Sequence, residues 1–154
     1  MNETALHPEV AAIVRFLLEH FPSTVYVNEV PQDFKVPSVY VPPLTSFGGG
    51  AFSLSTYSKS YTLNLKLFHN NQPLAVSVAQ SLHDECERNR MYLPMIDDNG
   101  EEIDNFVRIS SIDVRPGDGL SSTMVFQWSS NYQYVRPDYV NIENFTLEGG
   151  MKSE

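Results

Sequence analysis

Few side chains in this sequence have both the type and the spacing that chemistry requires. His83 and Cys86 come nearest to a metal pair, because three residues apart on a helix they share a side. Zinc takes four ligands, or three and a water. The other histidines are His7, His20 and His69, and there is no second cysteine, so nothing completes the set. The expectation is a buried thiol beside a partly exposed imidazole. Asp97-Asp98-Asn99-Gly100-Glu101-Glu102 has the look of a calcium loop. Aligning Gly100 with that loop's invariant glycine puts Asp97 and Asn99 on positions three and five. Met95 then takes position one and Phe106 position twelve, so the bidentate glutamate is missing. A solvated acidic hairpin is the expectation, with Asp97, Asp98, Glu101 and Glu102 as its surface. Gly48, Gly49 and Gly50 are not followed by the Lys and Ser/Thr that a phosphate cradle needs. No G-x-S-x-G elbow occurs, and Cys86 has no obvious histidine base. The carboxylates are scattered, and an acid pair that meets only in space leaves no mark in a sequence. The residues therefore point to no catalytic group, no cofactor and no metal, and to a protein that is not an enzyme.

Composition narrows the class. A chain of 154 residues favours one domain, and one of that size buries about 70% of its unfolded surface. The net charge is −9, from 10 basic and 19 acidic residues. Affinity for DNA comes mostly from Lys and Arg neutralising phosphates, so an acidic chain is ill suited to grip it. A single cysteine excludes an internal disulfide. Residues 1–8 carry neither a basic start nor an apolar run, so a secretory leader is not expected. Every apolar stretch falls well short of the roughly 18 residues a membrane span needs.

The elements that must position these residues read as helix, strands, helix, strands. Pro8 suits the first position of a helix. Val10, Ile13, Val14, Leu17, Leu18 and Phe21 then form one apolar stripe before Pro22 ends it. Val25 and Val27 make a short strand, which Val30 would extend. Prolines at 31, 37, 42 and 43 leave room between them only for a short or edge strand at 38–41. The three glycines make a loop tip or a bulged hairpin that orders on assembly. Tyr61, Leu63, Leu65 and Leu67 alternate with polar residues as a strand. A second helix opens near Asn71 or Gln72 with Pro73 just inside. Its stripe is Leu74, Ala75, Val78, Ala79, Leu82 and Cys86.

Residues 92–96 and 101–103 flank Asn99-Gly100, the strongest short hairpin signal. From residue 106 the apolar phase flips across Ser110-Ser111, which marks a β-bulge. Two long strands then meet at Pro116-Gly117-Asp118-Gly119. The second places Met124, Phe126, Trp128, Tyr132 and Tyr134 on one face, with Thr123, Val125, Gln127 and Gln133 on the other. Nine Phe, eight Tyr and one Trp serve as core, because base stacking would want a basic groove and only Arg108, Arg115 and Arg136 lie nearby. The fold class expected is α+β, a mostly antiparallel β-sheet flanked by two α-helices. A single domain spans 1–147, with 148–154 a flexible tail.

One stretch adds a resemblance. Glu29-Val30-Pro31-Gln32-Asp33-Phe34, closed by Pro37, resembles the E-V-P-Q-x-F-x-x-P segment of tail terminator, or tail completion, proteins from long-tailed bacteriophages. The strand at 60–68, the helix at 73–88 and the strand pair 107–114 and 123–134 follow in that family's order, so the likeness covers most of 11–135. The acidic hairpin at 97–105 and the segment after Pro137 depart from the pattern. The resemblance implies a homo-oligomeric ring, typically a hexamer, that caps the tail tube and stops its polymerisation. Its partners would be the tail tube protein and the head-side connector, with DNA passing through the lumen without specific binding and no membrane involved. Such a protein would be made in the host cytoplasm and end in the virion tail or neck. On that reading Phe47, Gly48, Gly49, Gly50 and Phe52 form a candidate loop for contact with a neighbour or the tube. Another neck adaptor is the alternative of the same class. A small-ligand-binding regulatory domain, with an apolar pocket between helix and sheet, is the alternative from a different class.

Overall fold

The centre of the sheet follows from strict alternation. In the computed structural model, which describes residues 6–135, the order is α1 (Pro8–His20), β1 (Thr24–Val27), β2 (Ser38–Val41), β3 (Thr45–Ala51), β4 (Thr56–Phe68), α2 (Gln72–Arg88), β5 (Tyr92–Ile96), β6 (Glu102–Pro116) and β7 (Ser121–Gln133). The expected tail at 148–154 lies outside the described residues. On β4, Tyr61, Leu63, Leu65 and Leu67 are buried while Asn64 and Lys66 are exposed. Their antiparallel neighbours on β7 are Trp128, Phe126, Met124 and Ser122, all buried. Each large apolar side chain withdrawn from water contributes about 1.5–3 kcal/mol.

Seven strands form one curled sheet in the order β1-β2-β4-β7-β6-β5, with β3 added along the far half of β4. Only β1 and β2 run parallel. Both helices cover the same face. Ser122, near one end of β7, donates to the carbonyl of Ala75 on α2, 2.8 Å away. Ser130 and Tyr132, near the other end and on the same face, donate to Glu9 on α1. Val10, Ile13 and Leu17 of α1 and Ala79, Leu82 and Cys86 of α2 share one core with the strands. The opposite face carries Asn64, Lys66, Asp113 and Gln127 in solvent.

Local sequence sets the helix ends. Pro8 opens α1, and the His7 imidazole accepts from the Glu9 N–H at 3.2 Å. Asn71 caps α2, its Oδ1 accepting from the Leu74 N–H at 2.9 Å. Leu74 itself, expected on the buried stripe, is 41% exposed, while its neighbour Ala75 is fully buried.

Several expectations shift in detail. Residues 102–103 and the strand from 106 are one continuous β6, with Glu101 just outside it. The hairpin before it is wider than a two-residue Asn-Gly turn. Asp97 and Glu101 close it through the Asp97 N–H to Glu101 carbonyl bond at 2.9 Å, with Gly100 at φ +80°. Glycine supplies that positive φ without steric cost. Val30 falls outside β1, and β2, though short, lies between β1 and β4. The bulge lies where the phase flip put it, between Ile109 and Ser111.

Candidate functional site

Of the two expectations for this stretch, a loop tip or a bulged hairpin, the structure has the bulged hairpin, with Phe52 just past its first strand. Thr45–Ala51 is strand β3, paired antiparallel to β4 from Thr45↔Thr62 to Ala51↔Tyr57. A bulge between Gly48 and Gly50 breaks the register, with Gly50 at φ +82°. Glycine's poor strand propensity kept a loop tip open as the other expectation, and cross-strand pairing with β4 overrides it. The hairpin tip comes later. Ser53 and Phe52 both donate their N–H to the Thr56 carbonyl, and the Ser53 and Thr56 hydroxyls lie 2.7 Å apart. The Tyr134 N–H reaches the Ser55 carbonyl at 2.9 Å. Across the ribbon, the Tyr57 ring meets Tyr132 at 5.5 Å and Tyr134 at 5.3 Å, both tilted.

All of β3 is exposed. Phe47 is 72% and Phe52 68% exposed, and Leu54 is fully exposed. Phe47 lies on β3 opposite Ser60, while Phe52 and Leu54 lie in the turn that follows it. Thr45–Ala51 also contains no charge and no proline. Both are usual protections of a strand edge, and the bulge is the one protection present.

Beyond the bulge at Ile109, β6 leaves β7 and pairs with β5 instead. The far part of β7, from Ser129 to Gln133, then has β4 on one side and no strand on the other among the described residues. A cleft of about 500 Å³ opens in this fork, walled by Met95, Phe106 and Arg108 on one side and Asn131 and Tyr132 on the other. Glu9 lies at its base, 6% exposed. Its carboxylate accepts from the Ser130 and Tyr132 hydroxyls, and the Tyr61 hydroxyl is 2.7 Å from that of Tyr132. Burial, followed by the bonds to Glu9 and Tyr61, pushes the Tyr132 phenol well above its ordinary range. His7 Nε2 stands 3.7 Å from Glu9 Oε2. The Glu9 carboxylate is thereby engaged by hydroxyls rather than aimed at a reacting group. The network ties the start of α1 to the ribbon strand β7. Sequence reasoning missed it, although a signal existed: Glu9 stands four residues before Ile13, on the apolar stripe itself.

The acidic hairpin divides. Asp97 Oδ1 accepts from the Asn99 and Glu101 N–H groups, both at 2.9 Å, and so builds its own turn. Glu102 accepts from Arg15 of α1 at 3.0 Å, an exposed pair worth little. Asp98 and Glu101 are left in solvent. His83 pairs with Glu87 at 3.3 Å, while Cys86 is fully buried and its thiol is pushed up to about 12, by burial first and by Glu87 and Glu85 after it. Among the described residues no three His, Cys, Asp or Glu side chains gather as a metal would require. None of the described helices is long and apolar enough to cross a membrane.

Comparison with known proteins supplies what geometry lacks. No family model matches the chain. The uncharacterized protein YqbJ of Bacillus subtilis strain 168 is 38% identical over 147 residues, 96% of this chain and 100% of the relative. The phage-like element PBSX protein XkdJ of the same strain is 35% identical over 147 residues, with the same coverage. Identity at that level along the full length of both relatives means that this chain belongs to the phage-related family of YqbJ and XkdJ.

Proposed function

We propose that the protein is a structural component of a phage-like particle that caps the tail tube as a ring, ends tube polymerisation and presents the head-joining surface. Full-length similarity to a phage-like element protein is the observation that carries this reading. The sheet supports it with a strand, β3, that carries no charge and is exposed throughout, with Phe47 on it and Phe52 and Leu54 in the turn after it uncovered in the single chain. The protein then works by surface matching, with no bond made or broken and no cofactor. Cyclic closure limits the copy number, and one face of the closed ring blocks the next tube ring. A net charge of −9 suits a lumen through which DNA passes without adhering. The Phe47–Phe52 stretch meets a neighbour or the tube, and the exposed Asp98 and Glu101 form a separate polar surface.

Deleting the gene in a producing strain and measuring tails by electron microscopy tests the reading. Tubes of uncontrolled length, together with antibody label at the head–tail junction of wild-type particles, are expected. Tubes of normal length that fail to join heads would replace the terminator with a neck adaptor. Label elsewhere on the tail would remove the neck position altogether.

A further inference from the structure

The geometry points to strand-edge pairing between copies: the β3 edge of one chain adds to the Ser129–Gln133 edge of β7 in the next, so that the ribbon runs on from copy to copy. This inference rests on the ring reading above and specifies how the ring closes.

Two observations carry it. The first is a contrast among edges. The sheet's outer edges are defended, since β1 has only four residues and β5 carries Pro94 and lies against α1. The ribbon β3-β4-β7 has two further edges, Thr45–Ala51 and Ser129–Gln133, and neither contains a charge or a proline. Edges without charge or proline offer rows of N–H and C=O groups to another strand, the bulge between Gly48 and Gly50 being the one interruption here. The second observation is register. Through β4, Phe47 stands opposite Ser60 and so level with Ser129, while Ala51 stands opposite Tyr57 and so level with Tyr132. The two open segments therefore lie side by side along the ribbon. They also run in the same direction, because each is antiparallel to β4. Rotation about an axis along the strands brings one edge to the other without a rise, the condition for a closed ring rather than a filament. The occupant of the fork is therefore a second copy of this chain. Its β3 brings Phe47 toward the cleft walled by Phe106 and Met95.

The test is site-directed cross-linking of the purified full-length chain. Phe47→Cys and Asn131→Cys, both at exposed positions, are made as separate, differently tagged variants and joined with a short bismaleimide; native Cys86 is buried and silent. Unchanged melting checks the fold of each variant, and light scattering gives the assembled mass. At least tenfold more 47–131 product in the mixture than like-with-like product in either variant alone is expected, with a ladder up to ring size for the double variant. Predominant 47–47 product means a two-fold contact and overturns the inference. A ring mass without 47–131 product overturns it while leaving the ring reading intact. A chain that stays monomeric at every concentration overturns both.

Discussion

Strands β4 and β7 pass through two regions that differ in what covers them. In the helix-backed half, Leu63, Leu65, Met124 and Phe126 have no exposed surface. In the ribbon half the same two strands carry Ser58, Lys59, Ser129 and Asn131, and β3 beside them is exposed throughout. The pairing of β4 with β7 is unbroken from Thr56↔Gln133 to Phe68↔Ser121, so the backbone ladder does not distinguish the halves. Side-chain burial does. Alternation persists where helices supply a second layer and gives way to Ser, Thr, Tyr and Gly where none is supplied. The ribbon leaves Phe47 on β3 and Phe52 and Leu54 in its turn uncovered, which is why we propose it as the surface for a neighbour.

The comparison breaks most easily on stability. Phe126→Ala in the helix-backed half should cost about 3–5 kcal/mol, the usual range for a buried aromatic. Phe47→Ala in the ribbon should stay within about 0.5 kcal/mol of wild type, as surface substitutions do. Urea unfolding of the monomer measures both. Equal costs would mean that the ribbon is covered in the single chain, and the division of the molecule would fall.

Next in size is the seam between the regions. Glu9→Ala leaves the Ser130 and Tyr132 hydroxyls facing a cleft without their acceptor, and should cost about 1–3 kcal/mol. Tyr132→Phe removes one donor to the same carboxylate. The two changes should therefore be less than additive in a double-mutant cycle, as they are for residues in contact. Strict additivity would show that the network does not couple α1 to the ribbon.

Glycines sharpen the contrast at a smaller scale. Gly50 has open space around it, and its cost of substitution is the positive φ alone, so Gly50→Ala should lose about 1 kcal/mol. At Gly117 a Cβ would come within 2.4 Å of Ser121 Oγ, a buried hydroxyl already bonded to the Asp118 carbonyl. Gly117→Ala should therefore be the more damaging of the two in thermal melting, although its φ is ordinary.

The same division explains what the sequence disclosed. Where one face is buried, periodicity is the direct trace of burial, and β4, β7 and the helix from Gln72 are legible from Leu63, Phe126 and Ala79 alone. Even the bulge at Ser110-Ser111 is written as a change of phase, because a displaced register would move Ile112 to the wrong face. On β3 nothing is buried, so Gly48-Gly49-Gly50 leaves only its propensity to read, and propensity leaves a loop tip and a bulged hairpin both open. The fork is illegible for another reason. It depends on where β6 exchanges one partner strand for another, between residues some twenty positions apart in the chain. The Glu9 network likewise joins residue 9 to residues 130 and 132, and the place of Glu9 on the apolar stripe marks its burial but not its partners.

The smallest effect belongs to Cys86, and it tests whether the helix-backed half is closed. Buried among the α2 stripe and the sheet, its thiol is pushed up from 9.0 to about 12. A raised folded-state value means that the folded protein keeps a proton the unfolded chain has lost. Below about pH 9 both states are protonated, so the thiol's contribution to stability is constant there. Between pH 9 and about 12 the unfolded chain ionises first, and that contribution is lost as pH rises. Cys86→Ala should flatten this part of the stability profile, and the difference between the two urea-unfolding series isolates the thiol from the tyrosines that titrate nearby. Alkylation gives the independent check. At pH 8 the folded chain should label far more slowly than the unfolded chain, since thiolate and access are both withheld. The engineered Phe47→Cys on the ribbon should label at the rate of a free thiol. Equal labelling of the two positions in the folded chain would erase the boundary between covered and uncovered sheet on which the proposed ring contact depends.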